Sequence, residues 1–174
     1  PCADRIIAVL TPTTTPALLT SGPPELPGFS AASVWMTSSM RRPVFERSDR
    51  PGNWQLPQGG LDVGEEPLDG GLRELWEETG ITADQVEVIG EFPEWLAYEW
   101  PAVVRDGRHD GRRGQVQRWF AVRPRGDLRI DLSASEEFQD HRWTDLDGLV
   151  AGAHEMRAAV YRRLVPWLEQ LAAA

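Results

Sequence analysis

The chain has 174 residues, a net charge of -9, 41% hydrophobic and 26% charged residues, and eight Trp and five Phe to fill a core. That length suits one domain with a sizeable interior, and no apolar run approaches the roughly 20 residues a membrane-spanning helix needs. The acidic balance argues against coating long nucleic acid by phosphate neutralisation, so neither a DNA nor a membrane partner is expected.

All 18 basic residues are Arg and none is Lys, which removes lysine Schiff-base chemistry and a lysine-bearing phosphate loop. The single cysteine, Cys2, excludes an internal disulfide and a multi-cysteine zinc site. A reducing compartment fits, and a cytoplasmic location is expected.

Residues 1–27 are rich in Pro, Thr, Ser and Gly, the composition of a linker or arm, and are read as an N-terminal extension to a domain over 28–174. Within that arm the apolar piece Ile6 to Leu10 suits an extra edge strand or the remnant of a targeting segment. Ala31 to Met36 reads as a strand with Val44 to Arg47 as its hairpin partner. A turn at Asp49 to Asn53 then leads into Trp54-Gln55-Leu56-Pro57 and the pair Gly59-Gly60. One well-marked helix follows, with Pro67 suited to its first turn and Gly80 to its end. Val86 to Phe92 and Gln115 to Val122 read as strands, separated by a Gly- and Arg-rich stretch, and Asp127 to Leu132 and Gln139 to Trp143 as weaker ones. Ala153 to Leu171 closes the chain as an amphipathic helix, with Met156, Val160, Leu164 and Leu168 at helical spacing. Strands with two separated helices indicate a mixed α/β sandwich.

At about 100° per residue the first helix places Leu68, Leu72, Leu75 and Thr79 on one side and Glu74, Glu77 and Glu78 on the other. Like charges at these spacings repel, and a divalent cation would compensate them. Magnesium takes hard oxygen ligands, and one or two carboxylates plus waters and substrate phosphates complete its shell. An isolated Glu-x-x-Glu-Glu is more simply the solvated side of a surface helix. Gly70 and Gly71 sit inside this helix at a cost of about 2 kcal/mol relative to alanine, so Gly70→Ala is expected to raise the melting temperature.

The wider context outweighs the solvated-face reading. From Gly59 the chain runs five residues to Glu65, seven more, then Arg73-Glu74-Leu75-Trp76-Glu77-Glu78-Thr79-Gly80-Ile81. Every fixed position of the Nudix box is present, a match expected by chance on the order of once in ten million, and the chain resembles the Nudix hydrolases. The resemblance implies a Nudix α/β/α sandwich with a mixed sheet. It implies Glu74, Glu77 and Glu78 as magnesium ligands (manganese as an alternative), with Glu74 also positioning the attacking water. Arg73 is expected to orient those carboxylates, and Glu65 to be structural, near the positive end of the helix dipole. Gly59 and Gly60 are expected to make a tight turn close to metal and phosphates, and Gly80 a left-handed helix stop. The implied reaction is hydrolysis of a nucleoside diphosphate linked to another group, with metals stabilising attacking and leaving oxygens.

Trp54 to Gly60, Glu94 to Tyr98, Gly114 to Phe120, Glu136-Glu137-Phe138 and Arg142-Trp143 are similar to the subgroup of asymmetric diadenosine tetraphosphate hydrolases and bacterial RNA pyrophosphohydrolases. By that resemblance Glu137 approaches the metals, Tyr98 stacks on a base, and Gln115 and Gln117 contact the phosphates, while Trp119 and Phe120 belong to the core. The subgroup's basic residue on the first strand is missing, since Phe29 to Val34 holds no cation. Arg47, Arg50 or an Arg of the 105–118 segment (Arg105, Arg108, Arg112, Arg113, Arg118) could replace it, and that segment could steer a polyphosphate or RNA end or be an ordinary surface loop. His109, His141 and His154 show no metal-ligand spacing. The leading expectation is asymmetric cleavage of a dinucleoside polyphosphate, diadenosine tetraphosphate giving ATP and AMP. Removal of pyrophosphate from RNA 5′ ends is the alternative, and a non-catalytic nucleotide sensor a third.

Overall fold

The computed structural model describes residues 41–106 and 113–173 with their side chains, and places 5–7 and 29–38 as strands. In chain order the elements are β1 (Arg5–Ile7), β2 (Phe29–Ser38), β3 (Arg42–Arg47), β4 (Trp54–Gln55), α1 (Pro67–Thr79), β5 (Val86–Glu91), β6 (Leu96–Glu99), α2 (Ala102–Arg105), β7 (Gly114–Pro124), β8 (Phe138–Thr144), α3 (Leu146–Gly152) and α4 (Glu155–Ala173).

The long β7 organises the larger sheet. It runs parallel to β2 on one side, and its other edge is shared antiparallel by β6, from Gly114 to Gln117, and β5, from Phe120 to Pro124. β1, from the apolar piece near the N-terminus, pairs antiparallel with β2. A second, antiparallel sheet has the order β4-β3-β8. The expected hairpin between the Ala31 and Val44 strands is therefore wrong: the two belong to different sheets. Val44 and Phe45 are both fully buried, and a strand covered on both faces needs partners inside the sandwich rather than an edge hairpin.

Residues of β7 alternate between two cores, as the two-residue strand period requires. Trp119 and Ala121 pack with Leu96, Leu149, Val160, Tyr161, Leu164 and Leu168 beneath α3 and α4, whereas Phe120 and Val122 pack with Leu75, Ile81 and Val86 beneath α1. Helices on both faces of a mixed sheet make the α/β/α sandwich, and Trp119 and Phe120 are core residues as expected. The α4 stripe is Val160, Leu164 and Leu168 with Tyr161 beside it; Met156 is only half-buried and leaves the stripe. The span 127–132 is irregular rather than a strand, with Leu128 and Ile130 packed against the α1 core. β6, α2 and α3 have no counterpart in the sequence reading.

Helix α1 begins at Pro67 and stops at Gly80, whose φ of 71° is left-handed and whose N–H donates to Trp76 O at 2.8 Å. Leu75 and Thr79 are buried and Leu68 and Leu72 partly so, which confirms the packing face. Gly70 has a packing reason that runs against the stability expectation: a Cβ there would meet Leu61 Cδ2 at 2.5 Å and Glu65 Oε2 at 2.7 Å. Among the described residues no helix is long and apolar enough to cross a membrane.

Candidate active site

Arg73 is the hub of the box. Its Nε and Nη2 donate to the two oxygens of Glu65, both at 2.9 Å, while Nη1 donates to Glu74 at 2.8 Å and Glu77 at 2.9 Å, and Nη2 also reaches Gly60 O at 2.6 Å. Five bonds match the five donors of a planar guanidinium, which a lysine could not supply. The Glu65 hydrogen bonds hold Arg73 firmly charged and lower the Glu65 carboxyl in turn. Glu65 also accepts from Asp62 N at 2.9 Å, so it fixes Arg73 and the turn before the helix.

The three helix carboxylates are not equally solvated. Glu77 is exposed, Glu74 half-buried, and Glu78 almost completely buried. Burial pushes Glu74 up, and raises Glu78 well above the ordinary carboxylate range, with Glu137 and Glu74 adding repulsion. Glu78 accepts from the backbone N–H of Gln58 at 2.6 Å and lies within hydrogen-bonding reach of Glu137. Glu137, from the segment before β8, is held by Arg47 Nη1 at 2.6 Å, and Arg47 Nε donates to Asp49. The structure thus brings together Glu74, Glu77, Glu78, Glu137 and Arg73.

Six carboxylates, Asp49 and Glu65 included, face two guanidinium groups here, so the cluster carries a formal excess of four negative charges when ionised. A buried carboxylate crowded by two others is a chemically apt place for a hard divalent cation. Among the described residues no three side chains already stand in a finished ligand arrangement. Glu74 and Glu77 are each held by Arg73 through one oxygen, while Glu78 and Glu137, held by Gln58 N and Arg47, also lie within hydrogen-bonding reach of each other.

The two box glycines differ from expectation. Neither has a positive φ. Gly59 is required for space, because a Cβ would fall 1.7 Å from Glu74 Cδ, whereas a Cβ on Gly60 would meet nothing within 4 Å. Gly60 contributes its carbonyl to Arg73.

Two cavities adjoin the carboxylates. One, of about 560 Å³, is lined by Glu74, Glu77, Glu78 and Glu137 with Trp76 and Asp131. The other, of about 330 Å³, runs from Gly59, Gly60 and Glu137 past Tyr98 and Gln115 to Asn53 and Arg157. Tyr98 is half-buried on β6 and its hydroxyl donates to Gln115 Oε1. Gln117, expected beside the phosphates, is buried and does not line the cavity; its Nε2 donates to Gln58 Oε1 at 3.2 Å, so it stands behind the segment that holds Glu78.

Arg47 and Arg50 both line the second cavity. Of the arginine-rich segment, Arg105 and Arg113 both pair with Glu99, and Arg118 pairs with Glu91 over the Trp95 ring. Its positive excess is thus largely neutralised where it is described, while Arg108, His109 and Arg112 lie outside the described residues. His141 contacts Phe45 and His154 lines the cavity. Asn53, His154, Met156 and Arg157 also line it, and no local motif marks them as site residues. Only tertiary packing brings α4 to the turn before β4.

The model of the NUDIX domain matches residues 30–168. An RNA pyrophosphohydrolase of Acidiphilium cryptum is 47% identical over 114 residues, 64% of this chain and 68% of the relative. One from Cereibacter sphaeroides is 41% identical over 115 residues, 64% of this chain and 71% of the relative. Among solved structures, the E. coli dihydroneopterin triphosphate pyrophosphohydrolase superposes with a TM-score of 0.59 at 22% identity, covering 72% of this chain and 86% of that one. A C. elegans Ap4A hydrolase gives 0.53 at 23% identity, covering 74% and 85%. With an intact box on a sandwich of this topology and a family model spanning most of its length, the chain belongs to the Nudix hydrolases and is an enzyme of phosphoric anhydride hydrolysis.

Proposed function

We propose that this enzyme removes pyrophosphate from the 5′ ends of RNA, and does so in the cytoplasm. The observation that carries the reading is the identity of 41–47% to proteins named RNA pyrophosphohydrolase. The dinucleoside polyphosphate reading, favoured by the sequence alone, has as support a solved structure only 23% identical, a likeness of fold. RNA therefore replaces diadenosine tetraphosphate as the leading substrate.

The residues that would hold magnesium are Glu74, Glu77, Glu78 and Glu137, and the ion would supply charge neutralisation of the phosphates and of the attacked and leaving oxygens. The chain's own part is positioning. Arg73 fixes Glu74 and Glu77 relative to the Gly59-Gly60 turn, and Gln58 N fixes Glu78. Glu74, raised by burial, is placed to orient a water and accept its proton. Tyr98, backed by Gln115, offers an aromatic face to a base of the bound end, and such stacking tolerates any base.

The test is product analysis in magnesium with a 5′-triphosphorylated RNA oligonucleotide and diadenosine tetraphosphate offered separately, with Glu78→Gln as control. Pyrophosphate is expected from RNA much faster than ATP and AMP from the dinucleotide, and Glu78→Gln should lose most turnover while keeping the fold. The opposite preference would restore the dinucleotide reading. Full turnover in Glu78→Gln would refute the metal assignment.

A further inference from the structure

The stretch between β4 and α1 carries the anchor of the most buried carboxylate, and residues 56–60 of it belong to no strand or helix. Two of its N–H groups go to side chains: Leu56 donates to the Tyr161 hydroxyl at 3.2 Å, and Gln58 to Glu78 at 2.6 Å. Glu78 needs that donor, because it is shut away from water while Glu137 and Glu74 repel it, and a charge-assisted bond from a fixed N–H offsets part of both penalties. A coil does not fix an N–H by itself, since it lacks the ladder that holds a strand in register.

The side chain of the same residue supplies the missing hold. Gln58 Oε1 accepts from Gln117 Nε2 at 3.2 Å, and both side chains are buried. Gln117 lies on β7, opposite Ala31 of β2 on one edge and Leu96 of β6 on the other, so its backbone is locked from both sides. Gln58 is thereby pinned at two points, with its N–H on Glu78 and its amide on the middle of the sheet. We propose that Gln117 is a positioning residue for the carboxylate centre: through the side chain of Gln58 it sets the backbone N–H that holds Glu78, while lining neither cavity beside the carboxylates itself. The proposal rests on the assignment of Glu78 as a metal ligand. It gives a reason for a buried amide pair where two apolar side chains would avoid the desolvation cost.

The experiment measures Mn²⁺ binding through the electron paramagnetic resonance of the free ion, with kcat and KM for triphosphorylated RNA in magnesium and thermal melts alongside. Gln117→Leu keeps the volume and removes the donor. Gln58→Leu breaks the same bond from the turn and leaves β7 untouched, so it carries the test alone if β7 does not tolerate leucine. Either change should weaken Mn²⁺ binding and lower kcat about tenfold or more, with KM for RNA within about twofold, and the double variant should match the singles. The decisive comparison repeats both changes in a Glu78→Gln background. There the path is already cut, so Mn²⁺ affinity and residual kcat should move by less than about twofold. A role in folding alone predicts a lower melting temperature with Mn²⁺ affinity and kcat kept, or an equal loss in both backgrounds, and either result overturns the proposal. Wild type that binds no Mn²⁺ overturns the metal assignment and the positioning role together. Wild type that binds Mn²⁺ in a manner dependent on the Gln58–Gln117 bond, yet releases no pyrophosphate from RNA, refutes the proposed substrate and leaves the positioning role standing.

Discussion

Replacing Gly59 by alanine puts a methyl carbon where the Glu74 carboxylate lies. The Cβ would stand 1.7 Å from Glu74 Cδ and 1.8 and 2.1 Å from its oxygens, so the carboxyl carbon must retreat by about 1.7 Å to regain the 3.4 Å of ordinary contact. That group is the end of a flexible side chain, and the fold can survive its displacement. The loss is the bond to Arg73 Nη1, a charge-assisted contact of about 1–2 kcal/mol at a half-buried site, or roughly 2–8 °C in melting temperature at this chain length. Catalysis should suffer more, since a misplacement of about 1 Å in a positioned group can cost on the order of a hundredfold. The assay is steady-state pyrophosphate release from triphosphorylated RNA, with kcat and KM resolved and thermal melts run in parallel. Gly60→Ala is the matched comparison, because its Cβ meets nothing within 4 Å. A roughly hundredfold fall in kcat is expected for Gly59→Ala, and a kcat within a few-fold of wild type for Gly60→Ala. Wild-type kcat in Gly59→Ala, or equal damage from both, would refute the argument that Gly59 exists to make room for Glu74.

Gly70→Ala gains about 1 kcal/mol of helix propensity but drives a Cβ to 2.7 Å from the Glu65 oxygen that Arg73 holds; a melting temperature below wild type is expected, and one above it would show that Glu65 yields freely. Burial pushes the Tyr161 hydroxyl from 10 up to about 12, so the folded state favours its neutral form. The corresponding stability, on the order of 3 kcal/mol, is fully present below pH 10 and is lost as pH rises towards 12. Denaturant unfolding at pH 9 and 11 should show about half of that loss in wild type and lack it in Tyr161→Phe, and identical alkaline slopes would contradict the assignment. Tyr98→Ala should raise KM for RNA with a smaller change in kcat, and a change in melting temperature alone would return Tyr98 to a packing role.

The box was legible because its chemistry is contiguous: Gly59 to Ile81 contains the turn, the helix and the carboxylates, and their mutual geometry follows from one helical period. The outer site was less so. Gln115 and Gln117 lie on one face of β7 by parity, yet Gln115 lines the cavity while Gln117 is covered by Gln58, a distinction of depth that alternation does not carry. The β2–β3 hairpin failed because adjacency in sequence favours pairing, and only the burial of both faces of β3 reveals that its partners are β4 and β8. Helix α3 has seven residues, two of them glycine, too few for a periodic signal; its start is marked by Asp145, which accepts from Gly148 N at 2.7 Å. Asn53 and Arg157 were illegible for a simpler reason: nothing local links a turn residue to a helix a hundred positions away.

That separation has a temporal meaning. The N–H of Leu56, two residues before Gln58 and its bond to Glu78, donates to the Tyr161 hydroxyl at 3.2 Å, across 105 positions of sequence. At a synthesis rate of about 5–20 residues per second, the ribosome makes the catalytic turn roughly 5–20 s before the tyrosine that braces it. A nascent chain therefore carries every carboxylate of the box before the tyrosine that braces its turn has been made.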